Sequence, residues 1–218
     1  MKKILLTITF LFIFTLASNA DVTPQYLSSV AHFGIGVAKS GKNIKIYEEN
    51  NSKSNIKAQI IWNEFGNLEC KNTKMSCEAR EIFLGFAPSN NVALFSVEDE
   101  TDEWIYICYN QRFRLFGWIK KDQYTDYLSW GEFLIDYGKK YGLYLFRDVP
   151  KEYKTLYASP DPKSPAVDSF FLATHITPWL VRGNWILVKV ENYDDTQKTG
   201  WLHFRSETGR FFGFANLK

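Results

Sequence analysis

The chain carries little with which to do covalent chemistry. Among 218 residues there are three histidines and three cysteines. No Gly-x-Ser-x-Gly, His-Glu-x-x-His or phosphate-binding glycine loop occurs, so the common hydrolase, zinc-protease and nucleotide signatures are missing. A cysteine nucleophile would have to be drawn from Cys70, Cys77 and Cys108, with His32, His175 or His203 as its base. Net charge is also lacking. Setting Lys2 and Lys3 aside from the 26 basic residues leaves 24 against 24 acidic ones, which gives no general drive towards nucleic acid or an anionic membrane surface. Past residue 16 no stretch is long and apolar enough for a membrane-spanning helix.

The one apolar run lies at the start. Lys2 and Lys3 precede a mostly apolar segment, residues 4–16, and Ala17-Ser18-Asn19-Ala20 supplies the small residues of a cleavage site. Residues 1–20 therefore read as a secretory signal peptide, cut after Ala20, and the expected location is periplasmic or extracellular. No cysteine stands at that point, which argues against a lipoprotein anchor. In an exported protein Cys70 and Cys77 are candidates for a disulfide closing a short polar loop, the alternative being two separate thiols. A metal site is poorly supported, because that cysteine pair has no nearby histidine. The acidic run of residues 98–103 lacks the spaced ligands of a calcium loop and reads as a solvated turn. No cofactor is expected.

What the chain has in abundance is aromatic side chains: 18 Phe, 12 Tyr and 7 Trp. Small β domains use such rings to fill thin cores. Two stretches organise them. Trp104 opens an alternating run, a basic loop with Arg112 and Arg114 follows, and Phe116-Gly117-Trp118-Ile119 returns. Trp185 opens a second alternating run, a polar loop follows, and Thr199-Gly200-Trp201-Leu202 returns. This pattern occurs twice and suggests two copies of one β module. Cys108 aligns with Lys189 and is expected at an outward strand position. Phe33-Gly34-Ile35-Gly36-Val37-Ala38 and Ile44-Lys45-Ile46-Tyr47 alternate and suggest a hairpin. Residues 63–79 look like an insertion. Aromatic and β-branched content favours a hairpin over 132–147, although Tyr127, Trp130, Leu134 and Tyr137 have helical spacing. Pro178 inside a strand pattern calls for an edge or a bulge. The aromatic tail, residues 211–214, is expected to pack on a barrel end; were it exposed, it would favour an assembly role.

The second half resembles the bacterial SH3 (SH3b) family. The resemblance rests on Leu156-Tyr157-Ala158-Ser159-Pro160, on the apolar Phe170-Phe171-Leu172, on the run from Gly183 to Val190, and on Gly200-Trp201-Leu202. The first half is similar only at residues 44–47 and 104–120. The implied fold is all-β: two small SH3-like barrels in tandem, the first divergent with an insertion. The expected division is residues 21–121, a bridging segment 122–147, and residues 148–218. Members of the family commonly act as recognition modules for cell-wall peptides or partner proteins, often beside a hydrolase domain. The expectation is a non-enzymatic exported binding protein, with Tyr157, Trp179 and Trp185 as ligand-binding candidates. The alternatives are an assembly or regulatory subunit of an envelope complex, or a cell-wall cysteine hydrolase.

Overall fold

The computed structural model describes residues 21–24, 33–122, 125–169 and 173–218. The leader, His32 and the apolar Phe170-Phe171-Leu172 lie outside the described residues. Strand outweighs helix, 49% to 13%, which makes the class all-β.

The first sheet has nine strands: β1 (Gly36–Lys39), β2 (Asn43–Tyr47), β3 (Ile56–Trp62), β4 (Leu68–Lys71), β5 (Gly85–Ala87), β6 (Val92–Glu100), β7 (Trp104–Asn110), β8 (Leu115–Lys120) and β9 (Asp126–Ser129). Their order is β4-β3-β2-β8-β7-β6-β1-β9, with β5 also on β6 and a short helix α1 (Ala79–Ile82) before it. The expected hairpin between β1 and β2 is not formed. β1 pairs with β6 and β9, while β2 pairs with β3 and β8. Four strand spacings would hold β1 and β2 about 19 Å apart in a flat sheet. The three residues linking them, 40–42, reach only about 14 Å. The sheet therefore curls without closing, and a seam remains between β1 and β2.

After β9 comes α2 (Trp130–Tyr141), where a hairpin was expected over 132–147. The deciding signal is a capping box: the Ser129 backbone N–H donates to Glu132 Oε2 at 2.8 Å, and the Glu132 N–H donates to Ser129 Oγ at 3.4 Å. The supposed Gly-Lys-Lys turn is the last helical turn, where Lys139 and Lys140 suit the negative end of the helix dipole. Gly142, at φ +82°, ends it. Only residues 143–145 of the expected hairpin are strand, as β10 (Leu143–Leu145).

The remaining strands are β11 (Thr155–Tyr157), β12 (Ala166–Ser169), β13 (Ala173–Arg182), β14 (Trp185–Asn192), β15 (Gln197–His203) and β16 (Gly213–Ala215). Five of them form a sheet in the order β12-β11-β15-β14-β13, and β10 pairs with β16. Pro178 lies on the edge strand β13 beside a bulge between Pro178 and Leu180, the setting its missing N–H demands.

The two halves share one design. The first sheet contains β3-β2-β8-β7-β6, which is the order of β12-β11-β15-β14-β13 strand for strand. The same 81-residue offset that separates Trp104 from Trp185 carries β6–β7 onto β13–β14. Val97 faces Ile107 as Pro178 faces Val188, and each is followed by a bulge. Tyr47 meets Trp104 edge-on, centroids 5.4 Å apart at 87°, and Tyr157 meets Trp185 with the same separation and angle. A Cβ on Gly117 would lie 2.5 Å from Ile46, and one on Gly200 would lie 2.8 Å from Leu156. Close approach of the first and last strands thus requires glycine at both places.

One hydrophobic cluster serves both halves. It joins Val37 and Leu94 of the first sheet to Trp130, Phe133 and Leu134 of α2, and these to Leu156, Ile186, Val188 and Leu202. The aromatic tail is part of it: Phe211, Phe212 and Phe214 are buried, which removes the exposed patch that would have favoured an assembly role. A second cluster, including Ile46, Ile60, Phe83, Phe86 and Phe95, fills the curled first sheet.

Candidate functional site

Alternation along β14 sends Ile186, Val188 and Val190 into the core and leaves Trp185, Leu187 and Lys189 on the opposite face. Register builds two rows there. Leu180, Leu187, Trp201 and Tyr157 are successive cross-strand neighbours. Arg182, Trp185 and His203 form the next row. The outer face of the C-terminal sheet is therefore largely aromatic.

Most of this face is already packed against itself. Trp185 is only 7% exposed, stacked on the His203 imidazole at 4.4 Å and 8°, with Tyr157 against its edge. Tyr153 takes His203 at 5.0 Å and stacks on Phe212 at 3.5 Å. The Arg182 guanidinium lies 5.6 Å over the Trp201 ring. Burial holds the His203 imidazole below its ordinary pKa, against the opposing pull of Glu207 and a backbone hydrogen bond at Arg205. Its Nε2 is buried without a hydrogen-bond partner.

Of the three residues singled out from sequence, two are brought together and one stands apart. Tyr157 and Trp185 touch. Trp179 occupies the bulge of β13 and makes no ring contact among the described residues. It is 48% exposed, and its neighbour Leu180 is 42% exposed. Leu180 was missed by sequence reading because only the register places it in line with Leu187 and Trp201. The equivalent residues in the first half are Glu98 and Asp99, so the same scaffold bears carboxylates there.

The cysteines offer no reactive thiol. Cys70 and Cys77 are bonded to each other, S–S 2.07 Å. Cys108, expected to point outward, is fully buried, with Ser96 and Phe116 as its cross-strand neighbours. Its thiol donates to the Asn110 carbonyl at 3.3 Å, and burial pushes its pKa up to about 11. The loop arginine Arg112 is engaged with Glu81, Nη1 to Oε1 2.9 Å. In the acidic run, Glu100 pairs with Lys121 and residues 101–103 form the turn between β6 and β7.

No family model matches the chain, and no curated protein matches it.

Proposed function

We propose that this is a non-enzymatic binding protein of the exported fraction, built from two SH3-like units, whose C-terminal sheet recognises peptide: that of the cell wall, or a segment of another envelope protein. The observation that carries this reading is the exposed pair Trp179 and Leu180 on the β13 bulge, at the open end of the row Leu187, Trp201 and Tyr157. A half-exposed tryptophan beside a half-exposed leucine offers apolar area at small entropic cost, and tryptophan is a frequent anchor of binding energy. The packed rings behind it hold the backbone of β13 in place. The first half has acids at the equivalent positions, so the apolar pair is a local addition to a common scaffold.

The SH3-like assignment is supported by the repeated strand order and by the paired Tyr–Trp–Gly arrangement. Export is supported by the bonded Cys70–Cys77 pair, which suits an oxidising compartment. It is also supported at Val22, two residues past the expected cut, which exchanges backbone hydrogen bonds with Phe86 at 2.9 and 2.7 Å. Against a cysteine hydrolase stand the bonded pair and the buried, weakly acidic Cys108.

Sedimentation of the mature protein with purified peptidoglycan, compared with Trp179→Ala and Leu180→Ala, tests the reading. Retention weakened tenfold or more in Trp179→Ala, with an unchanged melting temperature, is the expected result. Retention indifferent to both substitutions would remove the face from consideration. If peptidoglycan retains nothing, a photo-crosslinker at residue 179 must capture a discrete envelope protein for the peptide reading to stand.

A further inference from the structure

Where β2 meets β8, the first sheet has an opening with a chemistry that the aromatic face does not share. β2 and β8 meet at a single rung, Tyr47 opposite Trp118, and diverge beyond it towards Lys45 and Lys120. The space between them is a groove of about 820 Å³ that continues to the β1–β2 turn and the start of β9. That size lies within the range of small-ligand sites.

Four lysines line it: Lys39, Lys42, Lys45 and Lys120. Two acids, Asp122 and Asp126, line it as well, so the balance is positive in a protein whose mature chain is neutral. Lys42 is held by Glu64 at 2.8 Å and lies 5.8 Å over the Trp62 ring. Lys39, Lys45 and Lys120 have no ion pair among the described residues. The independent observation is Ser40. It is only 3% exposed, lines the groove, and its hydroxyl has no hydrogen-bond partner. A buried hydroxyl left unpaired is unfavourable unless something fills its place. Its backbone N–H is already committed to Ala93 at 3.0 Å, so the hydroxyl is the group left to a ligand.

We propose that this groove binds the oxyanion of a small phosphate-bearing ligand, with Lys45 and Lys120 on its two lips and the Ser40 hydroxyl donating from the wall. Phosphate suits the set because ammonium groups act on it as point charges and a hydroxyl adds a directed hydrogen bond. Asn43, also in the lining, has its side-chain NH2 to donate to the ligand's remaining oxygens, its Oδ1 accepting from Gln59 at 2.8 Å.

Isothermal titration of the mature protein at low salt, with inorganic phosphate and with glucose 1-phosphate as probes and glucose as the uncharged control, tests the site. Both anions are expected to bind and glucose is not, with affinity falling as salt rises. Tighter binding of glucose 1-phosphate would assign the natural source to a phosphorylated sugar; equal binding would assign it to phosphate itself. The double variant Lys45→Gln and Lys120→Gln should lose at least tenfold in affinity with an unaltered melting temperature, since both side chains are exposed. Ser40→Ala should weaken binding several-fold. Failure of either anion to bind at 10-fold excess over about 1 mM protein, or binding that survives the double lysine variant, overturns the proposal.

Discussion

His203 lies between two rings, the Trp185 indole on one side and the Tyr153 phenol on the other. Burial depresses its pKa, so the unfolded chain takes up a proton at a higher pH than the folded one does. By linkage, the stability tied to the neutral imidazole is complete above the unfolded pKa of about 6.5 and is lost as pH falls through the lower folded value. Urea unfolding at pH 7.5, 6.5 and 5.5 should therefore show a declining midpoint that His203→Phe flattens over this interval. The carboxylates with lowered pKa, such as Glu132 and Asp168, lose their contribution only at lower pH, from their ordinary range downward through the lowered folded values. An equal decline in the variant would assign the effect elsewhere. At this scale the sequence was readable in part. The paired tryptophans were plain, but the partners Tyr47 and Tyr157 sit far from them in the chain, and only cross-strand register joins them.

Helix α2 shows how an element escapes a composition-based reading. Its aromatic residues favour strand, and two glycines weaken it as a helix. The Ser129–Glu132 capping box and packing on β13 outweigh both. The glycines themselves differ in purpose. A Cβ at Gly138 would lie 2.5 Å from Pro178 Cγ, whereas one at Gly131 would meet Val181 at an ordinary 3.6 Å. Gly→Ala in a helix interior gains about 1 kcal/mol in propensity, and overpacking costs about 1–3 kcal/mol. Gly131→Ala, in the first turn, should accordingly stabilise the protein by about 0.5 kcal/mol or less, and Gly138→Ala should destabilise it by about 1 kcal/mol or more, read from denaturant midpoints. Two changes of the same sign would mean that the helix does not lie against β13 as described. The unformed β1–β2 hairpin has a similar lesson. Alternation identified both strands, yet partner choice was settled by β6 and β9, strands more than 50 residues away in the case of β6.

At the scale of the molecule, the repeated strand order suggests two separable units, and the packing says otherwise. Trp130, Phe133 and Leu134 bury themselves against residues from both sheets, and the aromatic tail lies in the same cluster. Residues 148–218 expressed alone would leave Phe204, Phe211, Phe214 and the inner face of β13 without α2. This fragment should bind a hydrophobic dye and give no dispersed amide spectrum, while the whole chain unfolds in one calorimetric transition. Two resolved transitions in the whole chain would show the halves to be independent. The shared core is why the pattern of strands that suggested a division at residues 121 and 148 does not speak to independent folding: periodicity reports each strand's buried face, not the element that covers it.

Pro178 has a further consequence. In the first half the matching strand β6 is covered along Leu94–Val97 by β1, so its outer hydrogen-bonding groups are used within the chain. In the second half β13 has no such cover among the described residues, and the residue equivalent to Val97 is a proline next to a bulge. A missing N–H and a kinked strand make a poor template for another chain. The two matching strands are therefore guarded differently, β6 by coverage and β13 by the chemistry of its own edge. A lineage that drifted from proline to valine at position 178 would trade solubility in a crowded compartment for a sticky margin, and would also change the buried contact that Pro178 makes with α2 at Gly138.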